Sequence, residues 1–264
     1  YHDDARRFES KAQEILRAFN EKFFDREKCQ YDNGSQTSYV LPLSFGMVPE
    51  SYEQKVFNHL VDKIMNETDG HIGTGLIGGQ WLMRVLSDNG RPDVAYTIAS
   101  QKTYPSWGYM IEKGATTIWE LWNGDTADPA MNSGNHVMLV GDLYIWMVEY
   151  LAGIQADPNQ PAFKHIIMRP HPLGDLTSCR ASYDSIHGEI VSDWKIDNGR
   201  FVWKIKIPAN TAAAVYIPVQ DDAQPTESGK SLADAPGVAF LKIDDGRAVC
   251  NIESGSYLFE SKGW

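Results

Sequence analysis

Residues 135–154 read NHVMLVGDLYIWMVEYLAGI, residues 155–163 read QADPNQPAF, and residues 165–170 read HIIMRP. The first stretch is apolar on nearly every side, as expected of a buried helix. The second gathers Asp157, Pro158, Asn159 and Pro161, residues that break regular structure. The third opens a series of short segments whose apolar residues alternate. The repeat of the chain therefore changes here from helical to two-residue, and the chain divides into two halves of different class.

Working back from this point, the sequence predicts further helices. DDARRFESKAQEILRAFNEKFF, residues 3–24, sets Phe8, Ala12, Ile15, Leu16, Phe19 and Phe23 at three- and four-residue spacings. PESYEQKVFNHLVDKIMNE places Val56, Leu60, Val61 and Ile64 on one face. TGLIGGQWLMRVLSDNG begins in glycines and stops at Asn89-Gly90, and RPDVAYTIASQ has Pro92 in its first turn. SYVLPLSFGMV, interrupted by Pro42, reads as a short apolar stretch. The segments between helices carry the unusual residues: YDNGSQT, HIGTG, YPSWGYMIEKGATTIWELWNGD and MNSGNH. Helix pairs with such loops at one end suit a toroid of helical hairpins. A full toroid of six hairpins needs twice the number of helices found here, so residues 1–156 read as an incomplete barrel.

Working forward, GEIVSDWKID, RFVWKIKIP, TAAAVYIPV, RAVCNIE and GSYLFES alternate, with turn signals at Asp197-Asn198-Gly199 and Asp245-Gly246. This pattern predicts an antiparallel β-sandwich over residues 157–264. ADPNQPA is the expected linker. DDAQPTESGKSLADAPG is polar and turn-rich and is expected as an exposed excursion.

The bulk composition restricts the function classes. The 264 residues are 42% hydrophobic and 22% charged, as in globular proteins. The net charge of −11 argues against a nucleic-acid partner. No apolar run reaches the roughly 20 residues of a membrane span. The charged opening YHDDARRFES is not a signal peptide, and the first residue is not Met, so the chain is expected to be a processed or excised piece. Cys29, Cys179 and Cys250 are too scattered to suggest a disulfide framework or a zinc site. No histidine has metal-ligand spacing, and GTGLIGG follows a loop where a dinucleotide fingerprint would follow a strand, so no cofactor or metal is expected.

The candidate chemistry lies in GATTIWELWNGD, residues 114–125. Glu120 sits between Trp119 and Trp122, and YPSWGYM adds Tyr104, Trp107 and Tyr109 upstream. A carboxylate among indoles is partly desolvated and suits proton transfer; the alternative is a salt-bridged acid in a packed aromatic turn. Flat apolar rings suit the faces of sugars. Glycoside hydrolysis needs a second carboxylate, and Asp125, Asp128, Asp32 and Asp142 are the possible partners. His136, beside Asn135 at an expected helix start, could hold a sugar hydroxyl or serve in a cap. His71 in HIGTG is a weaker candidate.

Together, GSQTSYVLPL at 34–43, TGLIGGQWLMRVLSDNGRPDVAY at 74–96, YPSWGYM at 104–110, GATTIWELWNG at 114–124 and Asn135-His136 resemble the bacterial α-L-rhamnosidases. These are inverting glycoside hydrolases with an (α/α)6 barrel. The likeness runs on through LAGI, GEIVSDW and IPANTAAAVYIP; Gly79 departs from it, standing where threonine is usual. The resemblance implies the second half of an (α/α)6 barrel followed by a C-terminal β-sandwich, acting on a rhamnose-containing oligosaccharide or glycoside. It makes Glu120 the general base that activates water, puts His136 in the sugar subsite, and makes walls of Trp107, Trp119 and Trp122. The family's general acid comes from an acidic, tryptophan-containing segment that these residues lack. An N-terminal remainder is therefore expected to supply it, and this chain alone to be an incomplete, inactive fragment. The competing expectations are another (α/α)6 glycosidase or phosphorylase and a non-catalytic carbohydrate-binding protein.

Overall fold

The computed structural model describes residues 1–136, 138–220 and 223–264, with the backbone only at 138–141. The chain forms two compact units, Tyr1–Leu143 and Tyr144–Trp264.

The first unit is helical. Helix α1 (His2–Phe23) leads into a two-residue hairpin, β1 (Phe24–Asp25) and β2 (Gln30–Tyr31). Then come α2 (Gln36–Ser44), α3 (Glu53–Asp62), α4 (Leu76–Asp88), α5 (Pro92–Ser100), the short α6 (Trp107–Glu112) and α7 (Met138–Trp146). Helix α4 ends at Asn89-Gly90 and α5 begins at Pro92, as their signals require. The apolar stretch around Pro42 forms a helix: Ser35 caps α2 by accepting the Ser38 amide at 3.3 Å, and Pro42 sits near its end. YPSWGYM likewise contains a helix, because Ser106 caps α6 through the Tyr109 amide at 2.9 Å. The core is built from Val40, Val56, Leu60, Ile64, Ile72, Leu82, Leu86, Val94 and Ile98, all at or below 1% exposure.

Helix α1 forms where its periodicity predicts, yet none of its residues is buried; Phe8 and Ile15 are 63% and 53% exposed. Only its last turn is engaged. There Phe19 stacks on Tyr31, whose hydroxyl donates to Asn20 Oδ1 at 2.6 Å, while Asn20 Nδ2 donates to the Met47 carbonyl at 2.9 Å.

The second unit is a sandwich. After a π-turn at Met147–Leu151, the strands are β3 (Ile154–Ala156), β4 (His165–Met168), β5 (Ser178–Ser185), β6 (Gly188–Asp197), β7 (Arg200–Ile207) and β8 (Ala212–Pro218). They continue with β9 (Thr226–Glu227), β10 (Lys230–Ser231), β11 (Val238–Asp244), β12 (Arg247–Ile252) and β13 (Gly255–Lys262). One sheet runs β11-β12-β8-β4-β3 and the other β10-β9-β13-β7-β6-β5. Among the described residues every pairing is antiparallel except β4 with β8. Asn198-Gly199 and Asp245-Gly246 all take positive φ, the backbone of the tight turns that match strand twist. Between the sheets lie Trp194, Trp203, Phe201 and Phe259, none of them exposed to solvent.

Three local features depart from the sequence pattern. ADPNQPA is a hairpin loop within one sheet: Ile154 pairs with Met168 and Ala156 with Ile166, so the sheet begins before residue 157. The base of this loop is clasped by His165 Nδ1 against Asp157 Oδ2 at 2.8 Å. The polar excursion is tethered, because Thr226 and Glu227 pair with β13 and Leu232 and Ala235 are buried; Asp221 and Asp222 of that stretch lie outside the described residues. The apolar segment around α7 is only partly covered. Trp146 is fully buried, whereas Tyr144 and Met147 are 64% and 39% exposed. Its final carbonyls are taken by the sandwich: Trp194 Nε1 donates to Leu151 O at 2.7 Å and Ser192 Oγ to Ala152 O at 2.6 Å. Trp203 Nε1 then donates to Ser192 Oγ at 2.9 Å, so these buried polar groups are satisfied.

Candidate active site

Glu120 lies in an irregular segment that is clasped, strand-like, against residues 132–136. The Glu120 amide donates to Ser133 O at 2.9 Å, and the Ser133 amide donates back to Glu120 Oε2 at 3.0 Å. Around this exchange, the His136 amide donates to Ile118 O at 2.6 Å and the Leu121 amide to Asn132 Oδ1 at 3.0 Å. The Thr117 hydroxyl donates to Gly134 O. The carboxylate is thus held through both its backbone and one oxygen. His136 Nδ1 stands 3.9 Å from that same oxygen, with side-chain exposures of 19% for the histidine and 43% for the glutamate. Among the described residues no group donates to Oε1.

His136 and Asn135 precede α7 in irregular backbone, and the helix is assigned from Met138. Val137 lies outside the described residues. The His136 amide is spent on Ile118, which ties the histidine to the segment bearing Glu120.

The three tryptophans occupy different layers. Trp107, at 6% exposure, lies in the interior and meets Trp122 edge to face at 5.4 Å between ring centres. Trp122 is half-buried and donates its indole N–H to Thr74 O at 2.9 Å, which fixes the orientation of the ring. Trp119 is also half-buried and lies flat over Gly124, where any Cβ would come within 2.7 Å of its ring atoms. Glycine is therefore required at 124 for close approach.

The other acids have different surroundings. Asp125 accepts the Tyr109 hydroxyl on both oxygens, at 3.0 and 2.9 Å, and this bond holds the Tyr109 phenol above its usual range. Asp128 Oδ1 accepts the Ala130 amide within a turn, and Asp32 takes positive φ in its own turn. Asp142 is half-buried on α7; burial pushes its carboxyl up, and the nearby Arg84 guanidinium partly offsets this. His71 is a structural residue. Its Nδ1 faces Thr68 O at 2.9 Å, so that nitrogen carries the proton, and Nε2 accepts from the Thr103 hydroxyl at 2.7 Å.

Sequence reasoning missed Asn132, Ser133 and Thr117, which hold Glu120 in place. The stretch MNSGNH marked a loop, but nothing in its spacing indicated which segment it would pair with.

Residues 1–151 match the bacterial alpha-L-rhamnosidase 6 hairpin glycosidase domain, and residues 153–231 match the bacterial alpha-L-rhamnosidase C-terminal domain. The chain belongs to the bacterial α-L-rhamnosidase family. An alpha-L-rhamnosidase of Streptomyces avermitilis is 38% identical over 232 residues, 85% of this chain and 21% of that protein. The structure of an alpha-L-rhamnosidase from Dictyoglumus thermophilum superposes with a TM-score of 0.89 at 34% identity, over 98% of this chain and 29% of that one. A Streptomyces avermitilis alpha-L-rhamnosidase crystallised with L-rhamnose gives a TM-score of 0.87 at 34% identity, over 98% and 24%. The fold expected from the resemblance, a helical-hairpin glycosidase domain followed by a β-sandwich, is the fold of these rhamnosidases. The chain spans between a fifth and three-tenths of the length of the family members it matches.

Proposed function

We propose that the protein containing this chain hydrolyses terminal α-L-rhamnosides with inversion of configuration, and that Glu120 is its general base. The observation that carries the assignment is the clasp around Glu120. One carboxylate oxygen, Oε2, is occupied by the Ser133 amide and faces His136, while Oε1 accepts nothing from the described residues. A carboxylate held in this way offers one fixed lone pair to a water molecule. In the proposed step Oε1 takes a proton from water as the oxygen attacks the anomeric carbon. A carboxylic acid supplied from outside these residues protonates the departing glycosidic oxygen. Trp119 and Trp122 wall the sugar subsite, Trp107 supports Trp122 from behind, and His136 holds a sugar hydroxyl. No step requires a metal or an organic cofactor. The substrate is a rhamnose-containing oligosaccharide or glycoside.

The test is Glu120→Gln in the full-length protein with an aryl α-L-rhamnoside. The amide cannot accept the proton, so turnover should fall by about 10²–10⁴-fold with the fold unchanged. Proton NMR of the first product should show the β-anomer of rhamnose. Near-normal turnover would remove Glu120 from the mechanism, and α-anomer formed first would remove the inverting assignment.

A further inference from the structure

The β-sandwich unit carries a groove remote in sequence from the Glu120 clasp. It is an opening of about 360 Å³, within the ~300–1,000 Å³ range of small-molecule sites. Its lining combines aliphatic Ile145, Val148, Ile154 and Ala156 with the rings of Tyr144, Phe163 and Tyr183 and with Ser182. Tyr144 is 64% exposed and Tyr183 44%. Neither tyrosine hydroxyl donates to, or accepts from, a described residue.

The backbone beside the groove is strained. Ala162 and Phe163 are consecutive non-glycine residues with φ of 62° and 60°, a left-handed conformation that costs energy at each. The Phe163 ring lies against Tyr183, with ring centres 4.6 Å apart and planes inclined by 37°. The loop is pinned on both flanks, by the Asp157–His165 bond and by Lys164 Nζ on the Asn210 carbonyl.

We infer that this groove is a second saccharide-binding site, taking one deoxyhexose unit of the glycan whose terminal rhamnoside the protein cleaves. A deoxyhexose is the sugar class that fits. Its methyl group and axial C–H face are apolar and match the aliphatic lining and tyrosine rings, while its ring hydroxyls can pair with the Tyr144, Tyr183 and Ser182 hydroxyls. The identity of the sugar rests on the proposed rhamnosidase function; the existence of the groove does not. Such a site would hold a branched or polymeric substrate near the enzyme between cleavage events.

The experiment uses the full-length protein in its Glu120→Gln form, titrated with L-rhamnose and, separately, with D-glucose, and followed by ligand-observed NMR. Two binding steps are expected for L-rhamnose. In Tyr183→Ala and in Phe163→Gly the weaker step should weaken about tenfold or more. Glycine relieves the left-handed strain as it removes the ring, so lost binding in that variant is not explained by strain. With Glu120 restored, both variants should hydrolyse a small aryl α-L-rhamnoside at the parent rate. A single step in the parent, a weaker step unchanged in both variants, or equal binding of D-glucose would overturn the proposal. So would protection of Tyr144 and Tyr183 from hydroxyl-radical labelling in the ligand-free protein, because another segment would then fill the groove. If the second step is present but no rhamnoside is hydrolysed, the groove stands and the proposed function fails.

Discussion

At the scale of the residue, the position of Glu120 is set by groups that have no chemistry of their own. Asn132 contributes one acceptor oxygen to the Leu121 amide, and Ser133 contributes an amide to the carboxylate. Removing the Asn132 acceptor leaves the Leu121 N–H to find water and loosens the segment carrying the proposed base. Small displacements of a reacting group cost rate steeply. Asn132→Ala should therefore lower kcat on the order of tenfold with little change in KM. Asn132→Asp keeps the acceptor oxygen and should recover most of the loss. Steady-state kinetics on the full-length protein would check this, and equal kcat in the alanine variant would show that the clasp does not need the bond.

At the scale of the element, α4 shows an unfinished contact. Thr74, just before its start, is 2% exposed and its hydroxyl has no partner among the described residues. A Cβ on Gly79, in the first turn, would lie 3.5 Å from that hydroxyl, an ordinary contact. Gly79 is the position where the family resemblance implies threonine. A threonine hydroxyl there can satisfy Thr74, whereas valine has the same shape and cannot. Gly79→Thr should exceed Gly79→Val in stability by about 1 kcal/mol, the usual net worth of a buried hydrogen bond. Chemical denaturation of the two variants measures the difference, and equal midpoints would mean that Thr74 is satisfied by water.

At the scale of the whole molecule, the sandwich unit holds a partly buried basic cluster. Arg247 donates to Pro170 O at 2.8 Å and to Tyr216 O at 3.3 Å, and its other nitrogen lies 3.2 Å from His171 Nδ1. The imidazole must accept from this guanidinium and so stays neutral. Burial, reinforced by Arg247 and Arg169, pushes His171 down to about 3 from 6.5, and burial pushes Arg247 down to about 10. The sign follows from linkage. Above pH 6.5 His171 is neutral in both the folded and unfolded states, and its contribution to stability is fully present. As pH falls toward 3 the unfolded chain takes up a proton that the folded chain refuses, and stability declines. Carboxylates titrate in part of the same window, so the comparison to make is with His171→Gln, which keeps an acceptor. Urea unfolding should show the parent losing stability between pH 6.5 and 4 faster than the variant; parallel curves would refute the assignment.

The sequence by itself determined the two classes of structure and the order in which they occur. Helical spacing, the Asn89-Gly90 stop, Pro92 and the two glycine turns act through neighbours a few residues apart, and those interactions are present in the sequence. It also singled out GATTIWELWNGD as the segment in which the proposed chemistry is placed. It placed YPSWGYM between helices, whereas the Ser106 cap starts a short helix there. The tertiary structure alone decided that MNSGNH pairs with the Glu120 segment, that Trp107 lies behind Trp122, and that ADPNQPA closes a hairpin. Each of these is a contact between segments whose separation along the chain carries no periodic signal. Such contacts depend on which buried N–H and C=O groups find partners once the chain is compact.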